Sequence, residues 1–181
     1  MRNKNVLFIT QAALIGAIYV VLTLIANALG LANYDIQVRF SEALTILPYF
    51  TPAAIPGLFV GCIISNILTG CHPLDVIFGS FATLLGALGT YFIAHGIKKP
   101  GNADFYNTSN LKRWLCPIPP IVANVLIVPF VISYCYGSEN TIPLLMFFVG
   151  MGEIISCYVL GMILLQALDP RKVAIFEGSK A

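Results

Sequence analysis

An all-α membrane protein, folded as a six-transmembrane-helix bundle, is the fold class this sequence predicts, and three observations predict it. Hydrophobic residues make up 58% of the 181, charged residues only 10%, and mean hydropathy is +0.86. Apolar runs of about 20 residues, the length that crosses a bilayer core, recur along the chain. Positive charge gathers at the two ends of the chain and in one loop between runs, as cytoplasmic segments require. The net charge of +2 is too small to suggest a nucleic-acid partner, leaving lipid, protein or a small molecule.

The first span is 6–29. The charged start before it resembles a signal peptide, but the run is of spanning length and no small-residue cleavage pattern closes it, so it reads as a retained helix. Residues 40–69 are harder. As one pass they overshoot a core of about 30 Å, and Pro48, Pro52 and Pro56 break the helix. As two passes, 40–51 and 53–69, they keep the basic residues of the next loop inside. The remaining spans are 74–97, 114–134 and 142–168, in one integral membrane domain covering 1–181.

With both termini cytoplasmic, Arg2, Lys4, Lys98, Lys99, Lys112, Arg113, Arg171, Lys172 and Lys180 are all internal, and of the 10 basic residues only Arg39 is outside. Asp35, Glu42, Asp75 and Glu139 fall on the outer side. Glu153 lies about 16 Å into the last span at 1.5 Å per residue, near the midplane. The polar stretch 101–110 reads as a cytoplasmic loop.

Catalytic signals are weak. No phosphate-binding Gly-x-x-x-x-Gly-Lys-Ser/Thr loop is present. Ser80 and His95 would lie about 22 Å apart along one helix, too far for a nucleophile and its base. The five cysteines lack paired metal-type spacings and read as free thiols, so neither a metal nor a cofactor is expected. Small residues carry more information. The first span holds Ala12, Ala13, Gly16 and Ala17, two overlapping small-x-x-x-small pairs on adjoining faces, fit for internal packing or for docking a membrane partner. Gly79, Ala82, Thr83, Gly86, Gly89 and Thr90 in the fourth span read as bundle packing.

Ionised side chains inside a bilayer are expensive and mark functional sites. Residues 38–61 place Arg39 and Glu42 at the mouth of a span. This segment, with its Arg-Phe-Ser-Glu-Ala-Leu and Leu-Pro-Tyr-Phe, the later Asp75-Val-Ile-Phe-Gly-Ser and the six-helix plan together resemble the QueT family, substrate-binding S components of energy-coupling factor (ECF) transporters. The resemblance covers nearly the whole chain. It implies an S-component-like fold in the cell membrane and uptake of a queuosine precursor, typically 7-aminomethyl-7-deazaguanine, queuine being the other candidate. It also implies as partners an ECF coupling transmembrane subunit and two ATPase subunits that supply the energy. An Ala-x-x-x-Ala on the first helix docks the coupling subunit in such proteins; Ala13 and Ala17 match it, with Gly16 on the neighbouring face.

A deazaguanine offers an N–H and an amine side by side, suited to a carboxylate, and a carbonyl suited to an amide or Arg donor. Its aminomethyl cation wants a second carboxylate. Glu153 is the first expected contact for the guanine-like edge, its alternative being a protonated Glu bonded to backbone. Asn124 could orient the ring or simply join helices. Arg39 and Glu42, three apart, could bind ligand or pair with each other. Asp75 opens a helix, where the dipole favours a carboxylate without any ligand. Tyr34 is a candidate lid aromatic, and Asn66 completes the set. Two other functions fit the sequence: an S component for a different vitamin or nucleobase-like compound, or a stand-alone secondary transporter, which would show inverted repeats or an ion site at broken helices.

Overall fold

The computed structural model describes residues 4–31, 37–96, 105 and 108–177. Among these no strand occurs. Helix α1 (Lys4–Ala28) is followed by a 3-10 helix (Phe40–Tyr49), α2 (Ala54–Leu68), α3 (Pro73–His95), a short α4 (Asn110–Leu115), α5 (Ile118–Tyr136), α6 (Ile142–Glu153), a π-helical run (Ile154–Leu160) and α7 (Gly161–Leu168). The chain closes on a 3-10 turn (Asp169–Arg171) and a π turn (Val173–Glu177).

Four helical runs are long and apolar enough to cross a membrane: Lys4–Ala28, Pro73–His95, Asn110–Tyr136 and Ile142–Arg171. α2 is apolar but shorter. The 3-10 helix has 10 residues, about 20 Å at the 3-10 rise. The expected six-helix count therefore reduces to four full-length runs, one short apolar helix and one 3-10 segment.

Pro48, Pro52 and Pro56 explain the break between 40–51 and 53–69. Pro48 sits inside the 3-10 helix, residues 50–53 form the turn, and Pro56 falls in the first turn of α2, where its missing N–H costs nothing. Two other spans are interrupted. Pro117 separates α4 from α5, and the last run loosens into π geometry immediately after Glu153.

Close contacts fix the direction of each element. Gln11 accepts from Thr51 at 2.9 Å and Tyr19 reaches Glu42, so α1 and the 3-10 helix run in opposite directions. α1 and α2 run the same way: a Cβ on Gly57 would lie 2.6 Å from Ala12 O, and one on Gly61 would lie 2.9 Å from Gly16 O. Only glycine permits this approach, the small-x-x-x-small packing of membrane helices. α3 returns, and its Gly86 and Gly89 meet Pro120 and Pro119 of α5. These glycines, with Ala82, Thr83 and Thr90 buried beside them, do the bundle packing the sequence suggested.

The 3-10 helix lies at the centre. Residues 41–51 are all buried, against α1, α2, α3, α7 and the π run. At its lower end the bundle is plugged by aromatic rings. Phe50 stacks on Phe176 with centroids 5.1 Å apart, and Phe105 stacks on His95 at 3.7 Å. The His95 ring nitrogens face two carbonyls, Phe105 O at 3.1 Å and Tyr49 O at 2.9 Å. Gln11 donates to Phe176 O at 2.9 Å, which brings the first turns of α1 and the last described turn to the same end. Arg113 and Lys172 hold Asp169 there, each at 3.0 Å. Phe105 belongs to the stretch read as a polar loop, yet it is buried.

The membrane-facing surface follows composition. Ile9, Leu14, Ile18, Val21 and Ile25 of α1 are exposed, as are Phe78, Phe81 and Phe92 of α3, a pattern stable only in lipid.

Candidate functional site

A cavity of about 340 Å³ opens at the end opposite the aromatic plug. Helix ends build it: Thr23 and Asn27 of α1, Asn66 at the end of α2, Asp75 in the first turn of α3, and Tyr136, the last residue of α5. Arg39 and Gln37 line this cavity and also a smaller chamber of about 20 Å³ beneath it, whose walls include Glu42, Thr83, Asn124 and Glu153. Vestibule and chamber thus share Arg39 and Gln37 at their junction.

At the chamber, Glu42 comes from the first turn of the 3-10 helix, 2% exposed. Its Oε1 accepts the Tyr19 hydroxyl, and its Oε2 is buried with no hydrogen-bond partner among the described residues. Glu153 is 8% exposed, and its Oε2 accepts from the Cys157 thiol at 3.0 Å. Thr45 Oγ1 donates to Glu42 O at 2.6 Å and tightens the 3-10 turn beneath. Asn124 lies beside both carboxylates. Glu42, Glu153 and Cys157 each bring one ligand atom within 4.8 Å of the others, close enough to hold a cation. Among the described residues, Glu42 Oε2 is the carboxylate oxygen of this cluster that is both fully buried and without a hydrogen-bond partner.

The backbone that carries Arg39 is seated on the last helical run. Arg39 N donates to Ser156 Oγ at 3.2 Å, and a Cβ on Gly152 would lie 2.1 Å from Gln37 O. A glycine at 152 is what lets residues 37–39 lie this close. Across the vestibule, Tyr136 Oη donates to Asp75 Oδ2 at 3.0 Å and accepts from His72 N at 3.1 Å.

The structure brings Arg39, Glu42, Asn66, Asp75, Asn124 and Glu153 onto these two connected spaces. Tyr34 lies outside the described residues. The Arg39–Glu42 pairing considered from sequence does not form: ion pairs within 4 Å among the described residues join Arg113 and Lys172 to Asp169. The extended backbone of Arg39, just before the 3-10 helix, explains this, because the two residues do not share a helical face. Asn66 Nδ2 is spent on Cys62 Sγ at 3.5 Å.

Sequence reasoning missed Tyr19, Thr23, Gln37 and Tyr136. Tyr19, Thr23 and Asn27 recur every fourth residue on one face of α1, and that polar spacing in an apolar helix was the available signal. Of the three small residues expected to dock a partner, Gly16 is taken up by packing against Gly57 and Gly61, whereas Ala13 and Ala17 face outward.

Two comparisons with known proteins agree with this architecture. The family model described as QueT transporter matches residues 9–170. A curated relative, the queuosine precursor transporter QueT of Lactococcus lactis subsp. cremoris (strain MG1363), is 33% identical over 85 residues, which are 47% of this chain and 50% of that relative. The match thus spans half of the relative's length. No solved structure matches the chain. A family match over residues 9–170, on four helical runs able to cross a membrane, is decisive: the chain is a membrane protein and belongs to the QueT transporter family.

Proposed function

We propose that this protein is the substrate-binding S component of an ECF-type importer and that it takes up a queuosine precursor. The observation that carries the reading is the pair of buried carboxylates at the floor of the cavity, with Glu42 Oε2 lacking any hydrogen-bond partner among the described residues. A buried, unengaged carboxylate oxygen costs several kcal/mol, at the order of magnitude, until something donates to it. The adjacent N–H and amine of a deazaguanine are such donors. The relative's name suggests the substrate class, and the carboxylate acceptors of the site fit its donors.

Glu42 joins Glu153, the first expected contact, at the ring edge. Each has one oxygen engaged, by Tyr19 and by the Cys157 thiol, and the second oxygen of Glu42 is fully buried without a partner among the described residues. Arg39, at the junction of the two spaces, donates to the ring carbonyl, and Asn124 orients the heterocycle beside the carboxylates. In this reading the 3-10 helix and α2 cross as two short passes, giving six crossings in one domain with both termini cytoplasmic. Substrate reaches the vestibule from outside.

The chain then docks on a coupling subunit through the exposed Ala13 and Ala17 of α1, and two ATPase subunits drive its reorientation. Calorimetry of the purified chain with 7-aminomethyl-7-deazaguanine, queuine, guanine and several vitamins tests the substrate. Binding of a deazaguanine alone supports it, and a vitamin binding instead discards it. Uptake that persists in cells lacking the ATPase subunits discards the ECF role.

A further inference from the structure

Asp75 stands apart from the carboxylates at the floor. It occupies the first turn of α3, which Pro73 opens and the His72 ring caps by accepting from Leu74 N at 3.3 Å. Negative charge is favoured at that position by the helix dipole. The side chain is 6% exposed and lines the larger cavity, not the chamber that holds Glu42 and Glu153. Its rotation is fixed, because Tyr136 Oη donates to Oδ2 while accepting from His72 N.

Oδ1 makes no hydrogen bond among the described residues. The absent side chain of Gly79 leaves it room: a Cβ there would come to 3.4 Å from Oδ1. Arg39 lines the same cavity but forms no ion pair with Asp75 within 4 Å. A clamped carboxylate with one open oxygen therefore faces a cavity large enough for a ring substituent, one level above the pair that would hold the ring edge. A charged donor from the ligand is the group that satisfies it. A nitrile would bring an acceptor nitrogen against that oxygen and gain nothing.

We propose that Asp75, held by Tyr136, is the specificity-determining residue through which this protein prefers a deazaguanine with an amine-bearing substituent over one whose substituent is uncharged. The inference rests on the queuosine-precursor reading above. It adds an orientation: the ring edge lies toward Glu42 and the substituent points up the vestibule wall to Asp75.

The test is calorimetry on the full chain in detergent, using 7-aminomethyl-7-deazaguanine and 7-cyano-7-deazaguanine against wild type, Asp75→Asn and Tyr136→Phe, with thermal unfolding of each variant to check its fold. Wild type should bind the amine at least about tenfold more tightly than the nitrile. Asp75→Asn should weaken the amine about 10- to 100-fold, the worth of a charge-assisted hydrogen bond, while nitrile affinity holds and the preference collapses. Tyr136→Phe, which frees the carboxylate without removing it, should lower the preference by a smaller factor. Equal wild-type affinities overturn the proposal and leave the substrate reading standing. So does an Asp75→Asn variant that weakens both ligands by one factor, because Asp75 would then be acting through Arg39 or the fold. Should Asp75→Asn not fold, an unchanged preference in folded Tyr136→Phe overturns it. Binding of neither compound overturns the substrate reading itself.

Discussion

Glu42 and Glu153 sit within reach of one another but are held differently, and the difference sets what each substitution does. Tyr19 occupies one oxygen of Glu42 and the Cys157 thiol one oxygen of Glu153, but the second oxygen of Glu42 is fully buried without a partner among the described residues. Glu42→Gln is therefore expected to lower deazaguanine affinity by about 10- to 100-fold, and Glu153→Gln by less, in titrations of the purified variants. The reverse order would return Glu153 to the leading role. These charged groups were legible in the sequence because a carboxylate in an apolar run is conspicuous by its cost. Tyr19 and Tyr136 were not, because tyrosines are ordinary in membrane helices and only the fold shows which hydroxyls point at acids. That Glu42 carries a buried oxygen without a partner was equally hidden. It depends on where the Tyr19 hydroxyl of another helix reaches.

Between the elements, glycines set distances that a side chain could not. Gly152 is the sharpest case, since a Cβ there would lie 2.1 Å from a backbone oxygen of residue 37. Gly152→Ala should push residues 37–39 off the last helical run and displace Arg39. The expected outcome is a loss of ligand affinity larger than the loss of thermal stability, which overpacking puts at about 1–3 kcal/mol. Unchanged affinity in the alanine variant would show that Arg39 keeps its place without this seat. The four long apolar helical runs were readable to within a few residues, since length and hydropathy define them. The 3-10 winding of Phe40–Tyr49, the break at Pro117 and the π run after Glu153 were not. Each is a response to packing at the centre of the bundle, which no local periodicity records. The two small-residue pairs on α1 were likewise visible, but not their division. Ala12 and Gly16 pack on α2, while Ala13 and Ala17 remain outside.

At the level of the molecule, that division gives α1 two separate faces, one packed on the bundle and one left exposed, the face proposed above for docking. If the proposed docking holds, Ala13→Trp or Ala17→Trp should abolish uptake in cells while leaving ligand binding to the purified protein intact. Loss of binding in either variant would mean that this face serves the fold instead. The sequence groups nine of ten basic residues at the two termini and in one loop, and the structure gathers two of them, Arg113 and Lys172, at the plugged end around Asp169. The plug, which joins Phe50 to Phe176 and His95 to Phe105, has an electrical meaning as well. Among the described residues the vestibule ends on buried rings and a buried 3-10 helix, so the protein is expected to give protons and ions no wet path from one side to the other. Liposomes carrying this protein alone should hold an imposed proton gradient as long as empty ones, read with a trapped pH dye, and a faster decay would show a conduit through the bundle. A cell could then keep many copies waiting in its membrane without draining the potential that other transporters use.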